Sequence, residues 1–387
     1  MLAKAVQKKP IFELTSPAGC AIVIAMNQPE YLAARDLDSR AGKRGPMSRA
    51  IHTGNEDLDA RLDSVAKKFC GKHNPATLRQ LLATALQAAG SSIEEHDLEM
   101  MNRTLAEMLA ADKMFLPFRN VRKITCFGSA RIKENEPAYS QAKKFAQLAA
   151  RQGYMIITGG GPGIMQACNE GATEHLSFGL NITLPYEQHA NHVVDGSDKM
   201  MNFYYFYTRK LNFLKQTDAL VAFPGGFGTM DEIYECITLM QTGKSTLFPV
   251  VLLDPPGETF WGRWVHFIRK ELLEAGLISP EDMSLLYVSK SSEDALAYIE
   301  RFYRVFHSYY FHGEEITIRL MQPLDEKNLA WIRESFADLM PQGDLVQQEQ
   351  GAEDPEPLLA NLPRLHFTLK RGNYARLKEL IDAINDD

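Results

Sequence analysis

The 387-residue sequence contains few cysteines, and they are widely scattered: Cys20, Cys70, Cys126, Cys168 and Cys236. Their number is odd and no two form a CxxC pair, so the sequence predicts neither a disulfide framework nor a zinc site. No apolar run approaches the ~20 residues that cross a bilayer, so no membrane partner is expected. The amino-terminal stretch lacks a continuous apolar core and a small-residue cleavage site, which predicts a cytoplasmic protein without a secretory signal.

The sequence also lacks an excess of positive charge. It has 42 lysines and arginines against 49 acidic residues, a net charge of -7. Binding to a nucleic-acid backbone needs a basic surface that displaces counterions, so nucleic acid is not expected as a partner. A small anionic ligand in a local pocket remains compatible with this charge. The length predicts two to three domains of ordinary globular composition.

The middle of the chain alternates short apolar runs with helical patterns. The apolar runs lie in VRKITCFGSA, YMIITGGG, FGLNITL, ALVAFPGG, FPVVLLD and LLYVS. Strands that are apolar on both faces and alternate with helices are typical of a parallel sheet covered on both sides. Residues 118–306 are therefore predicted to form a doubly wound, Rossmann-like α/β domain.

The two flanking regions have a different pattern. Residues 1–117 predict a mixed, mainly helical domain that contains two short strands in IFELTSPAGCAIVIAM. Its helices are expected near Leu58–Phe69, Pro75–Ala89 and Ile93–Ala111. Residues 307–387 predict a small α+β module with the segment EITIRLM, the strand LHFTLK and a final helix in YARLKELIDAI. The acidic segment QQEQGAEDPEP is interpreted as a flexible linker inside this module.

Two glycine-rich loops follow strands of the central domain. They are Gly159 to Gly163 and Pro224 to Thr229, and each leads into a helix. Glycine lets backbone N–H groups approach an anion, and a helix N-terminus adds a favourable dipole, so a phosphate is the expected guest. The glycines could instead serve only tight turns, but two loops at corresponding positions favour a ligand. Neither loop has the dinucleotide GxGxxG or a P-loop signature, which points to a mononucleotide or sugar phosphate.

Two pairs of charged or polar residues near these loops admit two interpretations each. Thr229 and Glu232 fit a capping box at a helix start, or Glu232 is a carboxylate with a chemical task beside a phosphate loop. Arg209 and Lys210 form a basic pair that is either a solvated surface or an anion-binding group at the same sheet edge. The residue pattern alone leaves both pairs open.

The segments GGGPGIMQACNEGA, FYTRK and PGGFGTMDEIYE resemble the Lonely Guy (LOG) family of nucleoside 5′-monophosphate phosphoribohydrolases. That family was long labelled lysine decarboxylase. The resemblance spans roughly residues 121–305, and the long form resembles bacterial pyrimidine/purine nucleotide nucleosidases. No pyridoxal-phosphate lysine signature is recognised, and no cofactor is expected.

The resemblance implies an N-glycosidase that releases a free base and ribose 5-phosphate. It implies catalytic roles for Glu232, which could stabilise the sugar or activate water, and for Arg209, which could hold phosphate or stabilise the departing base. The expected substrate-binding residues are Gly128, Ser129, Gly160, Gly161, Gly163, Lys210, Gly225, Gly226, Gly228 and Thr229. The family often has Met-His-x-Arg-Lys where this chain has Phe206-Tyr207-Thr208-Arg209-Lys210, so the base preference stays open. A homo-oligomer, at least a dimer, is also implied.

Several other residues are given ordinary structural roles. Asp231 should point about 100° away from Glu232 and lie on the surface. His189 and His192 lack further ligands, so no metal site is predicted. Cys168 and Cys236 are assigned to helix cores.

Two alternatives concern function beyond the enzyme. A carrier protein could hold a nucleotide-containing molecule with the same loops, without cleaving it, and it would not need the pair of Arg209 and Glu232. A cluster of Arg40, Lys43 and Arg44 could receive an anionic effector in a flanking domain, although a mobile basic loop is the simpler interpretation.

Overall fold

In the computed structural model, the described residues are 13–15, 21–23, 52–71, 73–184, 189–351, 354–370 and 372–386. They form two compact units, a smaller one within residues 40–110 and a larger one made chiefly of residues 111–387. The cluster of Arg40, Lys43 and Arg44 lies outside the described residues. Among the described residues, no helix is long and apolar enough to span a membrane.

The amino-terminal elements follow local signals in the sequence. The two predicted short strands are present as β1 (Glu13–Thr15) and β2 (Ala21–Val23), which pair antiparallel. Helices α1 (Glu56–Phe69), α2 (Pro75–Ala89) and α3 (Glu95–Phe115) confirm the three predicted helices to within a few residues. Asn55 and Asn74 accept hydrogen bonds from backbone N–H groups at the starts of α1 and α2, which are otherwise left without partners. Arg79 joins the two helices through Asp59 and Asp63.

A seven-stranded parallel sheet forms the centre of the larger unit. Its strands are β3 (Lys123–Phe127), β4 (Met155–Thr158), β5 (Ser177–Ile182), β6 (Met200–Phe203), β7 (Ala219–Ala222), β8 (Val250–Leu253) and β9 (Tyr287–Ser289). Its helices are α4 (Pro137–Arg151), α5 (Ile164–Ala172), α6 (Phe206–Gln216), α7 (Phe227–Gln241), α8 (Phe260–Phe267) and α9 (Ser292–Phe302). Short helical turns lie at Leu116–Phe118, Glu174–Leu176, Ile268–Leu273 and Pro280–Leu285. The predicted α/β, doubly wound fold is confirmed.

The strand order places a topological switch at the middle of this sheet. The order is β6-β5-β4-β3-β7-β8-β9, so the chain moves outward from β3 to β6 and then returns to β7 on the other side of β3. The connections after β3 and β7 therefore leave in opposite directions and open a crevice at their carboxyl ends, where ligands of such sheets bind. β6 was not predicted, because this edge strand carries the exposed Asn202 and lacks a continuous apolar run.

The carboxyl-terminal residues build a second, antiparallel sheet on the same hydrophobic core. Its strands are β10 (Phe306–His312), β11 (Glu315–Leu320), β12 (Val346–Gln348) and β13 (Arg364–Thr368), in the order β10-β11-β13-β12. Helices α10 (Glu326–Ser335) and α11 (Tyr374–Asn385) and short turns at Ala337–Leu339 and Pro357–Leu359 complete the region. Buried residues form one continuous core from the parallel sheet to α11.

The prediction of a flexible linker is wrong at Asp354. The side chain of Asp354 is 0% exposed and lies 2.6 Å from Nη2 of Arg319 and 2.8 Å from Nη1 of Arg364. Both arginines are themselves buried, on β11 and β13. Buried guanidinium groups require a carboxylate partner. Asp354, which the acidic composition assigned to a solvated linker, is that partner in the interior.

Candidate functional site

A cleft of about 570 Å³ lies at the carboxyl ends of β3 and β7. It brings together seven of the predicted site residues: Gly128, Ser129, Arg209, Gly226, Gly228, Thr229 and Glu232. Gly160, Gly161, Gly163, Gly225 and Lys210 do not line it. The strand-to-helix loops after β3 and β7 meet directly, since the backbone N–H of Ser129 donates to the carbonyl of Pro224 at 3.1 Å.

The loop after β7 presents unpaired backbone donors. Helix α7 begins at Phe227, and Gly226 is its N-cap in extended conformation. Within the described part of the chain, no acceptor binds the N–H groups of Gly226, Phe227 and Gly228. These donors lie at the positive end of a 15-residue helix, the arrangement that binds phosphate and other anions. A Cβ on Gly225 would lie 2.2 Å from Oγ1 of Thr229, so this glycine is needed for the turn itself.

The start of α7 decides between the two interpretations of Thr229 and Glu232. The helix begins two residues before Thr229, so Thr229 is not its cap and the capping-box interpretation is wrong. Glu232 then lies in the second turn of the helix. Within the described residues its carboxylate accepts no hydrogen bond from the backbone, and the residue lines the cleft.

Glu232 is a buried carboxylate in a mixed electrostatic environment. It is 8% exposed, and burial raises its pKa from 4.5 to about 7. The positive charges of Lys210 and Arg209 act in the opposite direction, while Asp231 and Glu235 add to the rise. Among the described residues, none donates a hydrogen bond to its carboxylate. The group can therefore take up or release a proton near neutral pH.

Arg209 enters the cleft from the first turn of α6. Its Nε donates to the carbonyl of Leu180 on β5 at 2.7 Å, and its guanidinium lies 5.1 Å from the ring centroid of Phe213. Burial lowers its pKa, and the charge of Glu232 partly offsets this. One edge of the guanidinium is thus anchored, and the residue lines the cleft.

Gly159 makes room for this arginine, a role that the sequence analysis did not assign. A Cβ on Gly159 would lie 2.6 Å from Nη2 of Arg209 and 2.7 Å from the sulfur of Met165. Its position as the first residue after β4 was the available signal, because that is where a strand of this sheet meets the crevice.

The other glycines of the first loop do not line the cleft, and their contacts hold the loop in place. Asn191 donates from its backbone to the carbonyl of Gly160 at 2.7 Å and from its side chain to that of Gly161 at 3.0 Å. Gly163 has φ of 69°, and a Cβ there would lie 2.4 Å from the carbonyl oxygen of Ser129. Only glycine allows this approach of the two loops.

Lys210 is turned towards α7. Its ammonium lies 2.6 Å from a carboxylate oxygen of Asp231 and 2.7 Å from one of Glu235. Asp231 is largely exposed, as predicted, and it also lines the cleft.

Several cleft residues were missed by the sequence analysis. Met165, Phe206 and Phe227 provide an apolar wall, and Phe227 is 96% exposed at its mouth. The signal for Phe227 was a large aromatic residue between two loop glycines. Arg131 also lines the cleft, and its signal was a cation two residues after Ser129.

The remaining candidates lie outside the cleft. Cys168 and Cys236 are fully buried in helices, as predicted. In the described ranges, no three histidine, cysteine or acidic side chains are grouped as metal ligands. Nε2 of His192 lies 3.9 Å from a carboxylate oxygen of Glu170.

The fold and the cleft define a doubly wound α/β protein with two glycine loops, a partly buried arginine and a buried glutamate at its switch point. Residues 165–299 match a family model described as "Possible lysine decarboxylase". Cytokinin riboside 5′-monophosphate phosphoribohydrolase LOG3 of Arabidopsis thaliana is 26% identical over 186 residues, 47% of this chain and 83% of that protein. The corresponding LOG7 protein is 28% identical over 192 residues, 48% of this chain and 82% of that protein. The resemblance to the LOG family is confirmed, at low identity and over about half of the chain.

Solved structures of similar fold include two proteins connected with the molybdenum cofactor. The molybdenum cofactor carrier protein of Chlamydomonas reinhardtii is 22% identical with a TM-score of 0.34, covering 47% of this chain and 97% of that one. The molybdenum cofactor binding protein of Rippkaea orientalis is 20% identical with a TM-score of 0.32, covering 46% and 93%. Likeness of this size supports no functional statement.

Proposed function

We propose that this protein hydrolyses the N-glycosidic bond of a nucleoside 5′-monophosphate and releases a free base and ribose 5-phosphate. One observation carries the proposal: the buried Glu232 and the partly buried Arg209 line the same cleft and influence each other's pKa beside an open helix N-terminus. A protein that only holds a nucleotide has no need of a buried carboxylate next to a phosphate-binding loop.

The 5′-phosphate would bind at the start of α7. The unpaired N–H groups of Gly226, Phe227 and Gly228 supply donors, and the helix dipole favours the negative charge. Each charge-assisted hydrogen bond of this kind contributes roughly 1.5–3 kcal/mol. Binding energy from the phosphate, which does not react, would hold the ribose in place for cleavage.

Glu232 would act at the sugar. Cleavage of the C–N bond builds positive charge on the ribose, which a nearby carboxylate stabilises. Water supplies a hydroxyl to the anomeric carbon, and its proton ends on the departing base or on the carboxylate. A pKa of about 7 suits Glu232 to this exchange, because a general base is most effective when its pKa lies near the working pH.

Arg209 would act on negative charge. Its guanidinium remains positive at any working pH and is anchored through Nε to Leu180. The Nη atoms would hold the phosphate or stabilise the base as it leaves with its electron pair. In either role the partly buried group would stabilise negative charge in the cleft.

The two relatives from Arabidopsis thaliana are named as phosphoribohydrolases of cytokinin riboside 5′-monophosphates. For this chain we propose only the wider class of nucleoside 5′-monophosphates. Its apolar wall of Met165, Phe206 and Phe227 suits a planar base of either kind. The homo-oligomer expected from the resemblance stays a prediction, which sedimentation velocity at several protein concentrations tests.

The proposal is tested with the purified full chain and a panel of purine and pyrimidine nucleoside 5′-monophosphates. Chromatography should detect free base and ribose 5-phosphate in equal amounts. The matching nucleosides, which lack the phosphate, should react at least about 100-fold more slowly at equal concentration because they forgo the α7 contacts. If nucleotides protect the protein against thermal unfolding without being cleaved, the proposed enzymatic activity is overturned and the carrier function is favoured.

A further inference from the structure

Lys210 was expected to bind substrate, yet its ammonium makes two short ion pairs with α7. It lies 2.6 Å from Asp231 and 2.7 Å from Glu235, and its side chain is only 14% exposed. Asp231 and Glu235 are four residues apart on α7, so they flank Glu232 on neighbouring turns. Lys210 follows Arg209 directly in the first turn of α6. One ammonium therefore fastens the segment that carries Arg209 to the segment that carries Glu232.

We propose that Lys210 is a positioning residue, which holds α6 against α7 through Asp231 and Glu235 and so fixes Arg209 relative to Glu232. This inference rests on the proposed function, because it concerns the two residues to which that function assigns the chemistry. It replaces direct substrate binding by Lys210. The short contacts to two carboxylates occupy the ammonium on the side of α7, and the residue does not line the cleft.

The electrostatic setting supports the same role. Although burial acts to lower it, the pKa of Lys210 is raised by the carboxylates of Asp231, Glu232 and Glu235, so the ammonium stays charged at neutral pH. Without Lys210, two carboxylates would flank Glu232 with no ammonium to offset them. The pKa of Glu232 would then rise further, because like charges disfavour ionisation.

The charged and titratable groups around Glu232 come from three elements. Helix α6 contributes Arg209 and Lys210, and α7 contributes Asp231, Glu235 and the buried thiol of Cys236. The loop after β3 contributes Arg131, which lines the same cleft. Among these charged groups, Lys210 has the largest effect on the pKa of Glu232, and it lowers the pKa that burial raises.

The test compares Lys210→Met with Lys210→Arg, using kcat and KM for a nucleoside 5′-monophosphate between pH 5 and pH 9. Methionine keeps the length of the side chain without its charge. We expect Lys210→Met to lower kcat about 10- to 100-fold with KM changed less than about threefold. The acidic limb of its kcat profile should move to higher pH, and Lys210→Arg should restore most of both. A KM raised tenfold or more with an unmoved acidic limb would overturn the proposal in favour of direct substrate binding.

A double variant, Asp231→Asn with Glu235→Gln, provides the matched control. It breaks the same bridge but removes negative charge beside Glu232, so the acidic limb should move to lower pH while kcat falls. A shift to higher pH in this variant would contradict the electrostatic argument.

A readout without turnover separates this inference from the proposed function. The pKa of Glu232 can be followed by carbon-13 NMR of labelled glutamate in wild type and Lys210→Met, with Glu232→Gln for assignment. If wild type cleaves no nucleotide, the proposed function fails, and the NMR titration still decides about Lys210. If the pKa of Glu232 is unchanged in Lys210→Met, the proposed effect of Lys210 on this carboxylate is overturned.

Discussion

The substitution Glu232→Gln keeps the size and shape of the side chain and removes its charge. Glu232 is 8% exposed, so the glutamine takes up almost the same buried volume. Under the proposed mechanism the variant loses the group that stabilises positive charge on the ribose. Turnover should fall by roughly 10²–10⁴-fold, the usual contribution of a positioned acid or base.

The same substitution should stabilise the protein, and the size of the effect follows from the pKa. Burial raises the pKa of Glu232 from 4.5 in an exposed chain to about 7 in the fold. Because the folded pKa lies above the unfolded one, the wild type loses stability as the pH rises from about 4.5 through 7. At 1.36 kcal/mol per pH unit, the loss approaches about 3 kcal/mol at pH 8. Glutamine does not ionise, so the variant should exceed wild type by that amount at pH 8 and match it near pH 4.

Urea unfolding at pH 4, 6 and 8, followed by tryptophan fluorescence, measures this difference. All three tryptophans, Trp261, Trp264 and Trp331, lie in the larger unit that contains the cleft. The signal therefore reports the unit in which the substitution is made. Activity is measured on the same samples at each pH.

Glu170→Gln is a control with the opposite expected sign. Glu170 is partly buried on α5, outside the cleft, and accepts hydrogen bonds from Lys143, Gln166 and Tyr139. Although burial acts to raise it, these partners hold its pKa below the ordinary value. Its stabilising effect is present above the unfolded pKa and is lost as the pH falls. The control variant should lose stability at neutral pH, approach wild type in acid and keep its turnover.

Two results would refute the reasoning about Glu232. Turnover within about threefold of wild type would show that Glu232 does not act in the reaction. A stability difference from wild type that is the same at pH 4 and pH 8 would show that burial does not raise the pKa of this carboxylate.

Three further substitutions test individual parts of the structure. Gly159→Ala should leave the protein folded but lower kcat about 10- to 100-fold, because its Cβ would lie 2.6 Å from Nη2 of Arg209. Unchanged kinetics would contradict this. The control is Gly262→Ala in α8, where a Cβ has only one neighbour within 4 Å and kcat should not change. A Cβ on Gly228 has no neighbour within 4 Å, so Gly228→Ala should keep the melting temperature. KM should rise about tenfold or more, because the added methyl group crowds the backbone N–H groups proposed to bind the phosphate. An unchanged KM would place the phosphate elsewhere. Asp354→Asn should lower the free energy of unfolding by about 3–5 kcal/mol, because it leaves two buried guanidinium groups without their carboxylate; urea unfolding measures the loss, and a change below about 1 kcal/mol would contradict the argument.

Much of the fold could be predicted because the relevant signals are local. The strands β3, β4, β5, β7 and β8 are fully buried, and such strands appear in a sequence as uninterrupted apolar runs. The antiparallel strands β10 and β12 and the edge strand β6 were missed, because polar residues break or replace their apolar runs. Composition was misleading at Asp354, where an acidic segment supplies the partner of two buried arginines.

The glycine loops could be placed for a topological reason. Both follow strands of one parallel sheet, and the carboxyl ends of parallel strands lie at the same edge. The pattern of residues therefore predicted that the two loops and Glu232 would lie at one edge of the sheet, whereas the pairing of β3 with β7, which brings Gly128 to the same cleft, came from the tertiary structure. It also determined that the helix after the second loop would offer its N-terminus to an anion.

The tertiary structure alone decided what the charged residues do at this edge. The starting residue of α7 excluded Thr229 as a cap, and burial raised the pKa of Glu232 to about 7. Lys210 could have faced a substrate or a neighbouring helix, and the packing of α6 against α7 placed it between Asp231 and Glu235. These outcomes depend on distances between elements far apart in the chain. Such distances are set by how helices pack on the sheet, which no local pattern of residues records.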